Sequence, residues 1–226
     1  EIAQSESATG VRFSNYWLHN NFLTVNGTKI SKSLGNVYTL EDIEKKGYSL
    51  LDFRMLVLQG SYRNEGNFTF AALDAARNRL QNWQNTAALR HQIYKTVDNI
   101  TENSKTIPSY AISKAIIEAV SNDLGTPAAL KIIDDAFSCL NAAPLASINH
   151  NSLVQLLDTI DLVLGPKLVD STPDISEDAK KLIIERRNAR DHKDWDKADK
   201  LRDSLLEMGI VIRDTAHDNV WEYQIK

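Results

Sequence analysis

The stretch from about residue 70 to residue 165 constrains the fold most, because its apolar residues recur almost wholly at helical spacing. Leu73, Ala76 and Leu80 share one face of a segment running from Thr69 to Ala88. Leu130, Ile133, Phe137 and Leu140 share a face of another. Thr126-Pro127 reads as its start, with the threonine as cap and the proline in the first turn, where a missing N–H costs nothing. Leu153, Leu156, Leu157, Ile160 and Leu164 make a further stripe, closed by Gly165-Pro166. Stripes of this width must be buried against neighbouring helices. With short connections between them, the pattern predicts an antiparallel helical bundle over residues 71–168.

Residues 167–177, with Asp170-Ser171-Thr172-Pro173-Asp174 among them, read as a linker. A separate module is expected over 174–226, with helices Ser176–Lys193 and Asp196–Met208, a stop at Gly209, and a hairpin of Ile210–Arg213 with Val220–Tyr223. Ahead of the bundle the pattern is mixed. Residues 1–10 read as a helix closing at Gly10, and Tyr16–Leu18 and Asn21–Val25 as short extended pieces before the turn Asn26-Gly27. Thr39 opens a helix with Glu41 and Asp42 in its first turn, where negative charge suits the helix dipole. Gly47 ends it, and Leu50–Leu58 carries the next.

A chain of 226 residues has room for two or three such modules, and 42% apolar with 25% charged residues is ordinary for a globular protein. The net charge of −4 supplies no global basic field, so a nucleic-acid partner would need a locally positive face. Cys139 is the single cysteine, which excludes an intrachain disulfide and a zinc site built from cysteines of this chain, and fits a reducing, cytoplasmic setting. No apolar run approaches the ~20 residues of a membrane span. The chain opens on Glu1 rather than Met and shows no signal peptide, so processing or a longer parent protein is expected.

The most specific string is Lys29-Ile30-Ser31-Lys32-Ser33-Leu34-Gly35-Asn36. Two mobile ammoniums, two small hydroxyls and a glycine in one loop after a strand and a turn can wrap a polyphosphate, and lysines suit oxygens whose charge grows during reaction. The plainer reading is a solvated surface turn. The string resembles the KMSKS motif of class I aminoacyl-tRNA synthetases, with Ile30 in the methionine's place. That resemblance implies ATP binding, as the magnesium complex, by Lys29, Ile30, Ser31, Lys32 and Ser33. Lys32 would contact the phosphates and Lys29 the charge developing on the α-phosphate and departing pyrophosphate.

Glu1-Ile2-Ala3-Gln4-Ser5-Glu6 with Tyr16-Trp17-Leu18-His19 is similar to the stretch that follows the His-His-Glu-Asn-Glu element of cysteinyl-tRNA synthetases. By that resemblance Glu1 ends the element and is one ligand of a Zn2+ ion whose two Cys and one His lie upstream. Zinc favours a thiolate over a hydroxyl. By itself Glu1 is an ordinary terminal carboxylate. Trp17 and His19 fall on the active-site side of the catalytic domain or are structural. Gln59-Gly60-Ser61-Tyr62-Arg63 resembles the family's Gly-His-Tyr-Arg segment, so Arg63 either meets the acceptor arm of tRNA or pairs with Glu65. Asp123-Leu124-Gly125-Thr126-Pro127 resembles a family helix start and reads as structural.

The segment from Ala189 through Trp221 resembles the family's C-terminal anticodon-binding module, implying that Arg190, Trp195, Asp199 and Asp214 face the anticodon GCA. Trp195, in polar surroundings between two helices, either plugs their junction or offers a flat face for a base. Most of the surrounding charges read as solvated helix faces with i,i+4 pairs.

The implied fold is mainly α: the end of a Rossmann-type catalytic domain with its lysine loop over 1–37, a stem-contact fold over 38–70, the bundle, and a small α+β module. The implied activity is that of a monomeric cysteine–tRNA ligase, using ATP to make cysteinyl-adenylate and passing cysteine to tRNA(Cys). The other half of the ATP site, with the family's HIGH motif, is absent from this chain. Two further readings stand beside it. A ligase joining cysteine to a small amine has no use for residues 178–226, and a noncatalytic helical RNA-binding protein leaves the lysine loop unexplained.

Overall fold

The computed structural model describes residues 1–92, 109–216 and 219–224. Helix α1 (Ile2–Thr9) ends at Gly10, which takes the left-handed conformation. Strands β1 (Leu23–Val25) and β2 (Thr28–Lys29) form a hairpin through Asn26-Gly27, both at positive φ. The expected strand at Tyr16–Leu18 does not form. That segment pairs with no strand among the described residues, and Tyr16 is 92% exposed.

Helices α2 (Leu40–Lys45) and α3 (Leu50–Leu58) each start with a capping box, Thr39 with Asp42 and Ser49 with Asp52. A strand not expected from the sequence, β3 (Gly66–Phe68), pairs parallel to β1, giving the order β2-β1-β3. Val25, Ile43, Phe68 and Leu73 form the small core beneath this sheet, with Phe53 and Phe70 against it.

The bundle helices are α4 (Phe70–Ala88), α5 (Ser109–Ser121), α6 (Thr126–Ala142) and α7 (His150–Leu164). The predicted stripes are its core: Leu80, Leu130, Ile133, Phe137, Leu140, Leu153, Leu156, Leu157, Ile160 and Leu164 are all buried in one cluster. Leu73 belongs instead to the core under the sheet. Trp83 packs edge-on to Phe137 and donates its indole N–H to Asp134 at 2.7 Å, so its one polar atom is satisfied.

The start of α6 differs from the sequence reading. Gly125, not Thr126, is the N-cap residue. Asp123 and Leu124 both adopt positive φ in a tight turn, and a Cβ at Gly125 would meet the Ala119 carbonyl at 2.6 Å. Only glycine lets the chain pass that carbonyl.

The terminal module comprises α8 (Glu177–Asp191), α9 (Trp195–Glu207), and the antiparallel strands β4 (Ile210–Asp214) and β5 (Asn219–Tyr223). Its own core is Ile175, Ala179, Leu205, Ile210 and Trp221, reaching Ala88 at the end of α4. Gln92 and Trp221 exchange two hydrogen bonds of 2.9 Å, which lock β5 to the end of the bundle.

The segment read as a linker is strapped down rather than loose. Leu168 and Thr172 are fully buried, and Arg90 donates to the Val169 carbonyl and to both oxygens of Thr172. Burial pulls the Arg90 guanidinium below its ordinary pKa, the cost of placing a charge among backbone carbonyls. Among the described residues no helix is long and apolar enough to cross a membrane.

Candidate functional site

The lysine string is built as a pinned loop. Lys29 closes β2, and residues Lys32–Leu34 form one 3₁₀ turn ended by Gly35 in the left-handed conformation. Asn36 holds the two ends together. Its Oδ1 accepts the Ser31 N–H at 2.8 Å, and its Nδ2 donates to the Lys29 carbonyl at 3.0 Å and to Thr28 Oγ1 at 3.2 Å. The Ser31 and Ser33 hydroxyls lie 2.7 Å apart. Lys29, Lys32 and Ser33 are exposed, Ile30 is 38% exposed, and Ser31 is half-buried. Neither lysine ammonium has a carboxylate or hydrogen-bond partner among the described residues. The loop therefore offers two uncompensated cations on a backbone closed by one carboxamide. Asn36 was visible in the string, but its bonds depend on the loop closing on itself.

Glu1 is the exposed residue ahead of α1 and makes no side-chain cap bond. Among the described residues no three His, Cys, Asp or Glu side chains are grouped as a metal would need, and Cys139 lies exposed on α6. The residues present do not make a zinc centre by themselves. Trp17 stacks on His19 at 6.4 Å and tilts against Phe13 at 5.8 Å, in an exposed irregular segment.

Arg63 pairs with neither Glu65 nor a free surface. It forks onto Asp123, Nε to Oδ2 at 2.5 Å and Nη2 to Oδ1 at 3.0 Å, and Tyr62 donates its hydroxyl to the same carboxylate at 2.6 Å. The Arg63 bonds, then the Tyr62 bond, hold the Asp123 carboxyl down to about 2. Asp123 is in the turn read as structural, and its partners are about sixty residues away in sequence, which hid the pairing.

In the terminal module, α8 ends in a turn with Lys193 at positive φ, where Asp194 N–H bonds back to the Ala189 carbonyl at 2.8 Å. Asp194 then caps α9 by accepting the Lys197 N–H at 3.2 Å. The helix thus starts one residue earlier than the sequence suggested, and Trp195 becomes its first residue. At 58% exposure it does not plug the helix junction, and among the described residues no ring or cation–π contact reaches it.

Arg190 and Asp214 are brought together in an ion pair. Asp199 pairs instead with Arg202 at 3.1 Å. The sequence reading passed over Arg186 as one helix charge among many. Its side chain is only 9% exposed, and its Nη1 lies 3.7 Å from Asp214 Oδ1. An arginine i,i+4 from Arg190 was the available signal.

Residues 1–78 match the family described as tRNA synthetases class I (C) catalytic domain, and residues 172–221 match the cysteinyl-tRNA ligase anticodon binding domain. This chain belongs to the cysteinyl-tRNA synthetase family. It is 35% identical over 225 residues to the cysteine–tRNA ligase of Finegoldia magna, covering 98% of this chain and 48% of that protein. The cysteine–tRNA ligase of Lachnospira eligens is 37% identical over 231 residues, and that of Treponema denticola 33% over 249, each covering 98% of this chain. The chain spans about half the length of these relatives, 48% and 49% for the last two, and it corresponds to the C-terminal portion of the family.

Proposed function

We propose that this chain supplies the lysine loop and the tRNA-reading modules of a cysteine–tRNA ligase. The observation that carries the proposal is the pinned loop with two ammoniums unpaired among the described residues, joined in one chain to a module that exposes a tryptophan and carries an arginine–aspartate pair. In the first reaction a carboxylate oxygen of cysteine bonds to the α-phosphorus of ATP, and the bond to pyrophosphate breaks. Lys32 neutralises charge on the phosphates, and Lys29 the charge that grows on the α-phosphate and the leaving pyrophosphate. Asn36 fixes the backbone from which both act. In the second reaction a terminal ribose hydroxyl of tRNA(Cys) takes the cysteinyl group, and AMP leaves.

At the other end Trp195 offers its face to an anticodon base, and Asp199, Asp214 and Arg190 supply acceptors and donors for base edges. Arg63, with its fork committed to Asp123, has only its remaining N–H groups for the acceptor arm. Glu1 by itself does not hold zinc, and no step here runs through a metal. Zinc, with Glu1 as its one ligand in this chain, and magnesium on ATP remain expectations of the resemblance.

The test is ATP–pyrophosphate exchange with cysteine, on a protein of the relatives' full length. No exchange would sink the ligase reading. Charging of tRNA(Cys) then distinguishes it from a ligase that joins cysteine to a small amine. The 226-residue chain alone is expected to support neither reaction.

A further inference from the structure

Arg186 lies on α8 one turn before Arg190, so both side chains leave the helix on the face toward Asp214 of β4. They address different oxygens of that carboxylate: Arg190 bonds Oδ2, and Arg186 Nη1 lies 3.7 Å from Oδ1. Their settings differ. Arg186 is 9% exposed at its side chain, against 34% for Arg190 and 46% for Asp214. Its Nε is buried with no hydrogen-bond partner, the one such side-chain atom among the described residues.

A guanidinium does not shed its proton to escape burial, so it needs a counter-charge. Asp214 is the only carboxylate paired with Arg186 among the described residues. Burial pulls the Arg186 pKa below its ordinary value, Arg190 and Arg202 push the same way, and Asp214 opposes them. A buried ion pair is weak evidence for stability, since well-packed apolar residues often replace such a pair without loss. A half-satisfied buried cation, set against Asp214, therefore points to what it does for that carboxylate.

We propose that Arg186 is a positioning residue for RNA recognition, anchoring Asp214 from inside so that Arg190 can exchange that carboxylate for an RNA phosphate or base edge. The inference rests on residues 174–226 being the anticodon-binding module. Two guanidiniums on one carboxylate leave a surplus positive charge at the clasp. When Arg190 turns outward, Asp214 keeps a counter-ion and its orientation, and its outer oxygen becomes free to accept from a base. Without Arg186, the departure of Arg190 would strand Asp214.

The experiment measures binding of the chain to two tRNA transcripts, one with anticodon GCA and one with its first base changed to A. Wild type is compared with Arg186→Met, Arg186→Lys and Trp195→Ala at fixed salt. Arg186→Met is expected to cut the ratio of the two affinities about ten-fold, with Arg186→Lys in between. A purely structural role would lower the active fraction for both RNAs alike and leave the ratio unchanged.

An unchanged ratio in folded Arg186→Met overturns the proposal. Should that variant not fold, an unchanged ratio in Arg186→Lys does so. If Trp195→Ala also leaves both affinities untouched, or the wild-type ratio is one, the anticodon reading has failed. If Trp195→Ala weakens binding while the Arg186 variants keep the wild-type ratio, only the role of Arg186 has failed.

Discussion

At the lysine loop, Lys29 and Lys32 stand in no ion pair among the described residues, while in the terminal module Arg190, Asp214, Asp199 and Arg202 are each already paired. The scaffolds differ as well. The loop is pinned end to end by Asn36, on a short hairpin over a small core. The charges of the module stand on two helices and a hairpin with a core of their own. Free cations suit a ligand that brings its own dense negative charge, such as a triphosphate. Paired charges suit a ligand read by exchange, where each lost pair must be replaced and a wrong base leaves a group unsatisfied. The first arrangement favours strength of attraction, the second selectivity.

The sharpest way to break this contrast is Lys32→Ala. Loss of one preorganised electrostatic partner costs about 10²–10³ in rate at comparable sites. Exchange by the full-length protein should fall by that order, while tRNA affinity of the chain stays at wild type. Undiminished exchange would mean that the unpaired ammonium has no role with ATP.

Trp195→Ala comes next. A base–aromatic stack contributes roughly 1–3 kcal/mol, which corresponds to about 5- to 150-fold in dissociation constant. The loss should appear in tRNA binding by the chain, with its thermal midpoint near that of wild type, because Trp195 is 58% exposed and belongs to no buried core cluster among the described residues. A large drop in thermal midpoint with unchanged RNA affinity would return Trp195 to a structural role.

How much of this could be read beforehand follows the range of the interactions. The bundle was legible because its stripes repeat every three or four residues, and burial of those stripes is what holds it together. The caps at Thr39 and the terminal hairpin were legible for the same local reason. Strand β3 was not, since it has three residues and its partner in β1 lies some forty positions earlier, as in Leu23 with Gly66. The cap at Thr126 failed because two consecutive left-handed residues, Asp123 and Leu124, shift the turn by one position. At the candidate sites, residue types were legible and pairings were not. Lys29, Lys32 and Trp195 stand exposed, but Asn36, Arg186 and the Asp123 fork acquire meaning only when distant segments meet.

Asn36→Ala sharpens the loop half of the comparison. It removes three hydrogen bonds from an exposed loop, each worth about 1 kcal/mol net at most where water can substitute. The expected result is a rise of roughly ten-fold in KM for ATP in the exchange reaction, with tRNA binding unchanged. Asn36→Asp keeps the acceptor for the Ser31 N–H, loses both donors, and sets a negative charge beside the phosphates, so it should be the worse variant. If Asp were tolerated as well as Asn, pinning would not be the function of this side chain.

The smallest effect belongs to the pair that is neither free nor exchangeable. Asp123 is held to about pKa 2 by Arg63 and then Tyr62, below the ~3.9 of an unfolded chain. A carboxyl depressed on folding stabilises fully above the unfolded value, and the contribution is lost as pH falls through the folded one. The relevant window is therefore about pH 4 to pH 2. Because the Arg63–Asp123 pair is open to solvent, with side chains 65% and 48% exposed, the effect is modest. Urea unfolding of the chain from pH 5 to pH 2 should show a steeper acid loss for wild type than for Asp123→Asn. Matching slopes would show that the fork adds no stability, leaving Arg63 available to RNA and moving it from the paired side of the comparison to the free one.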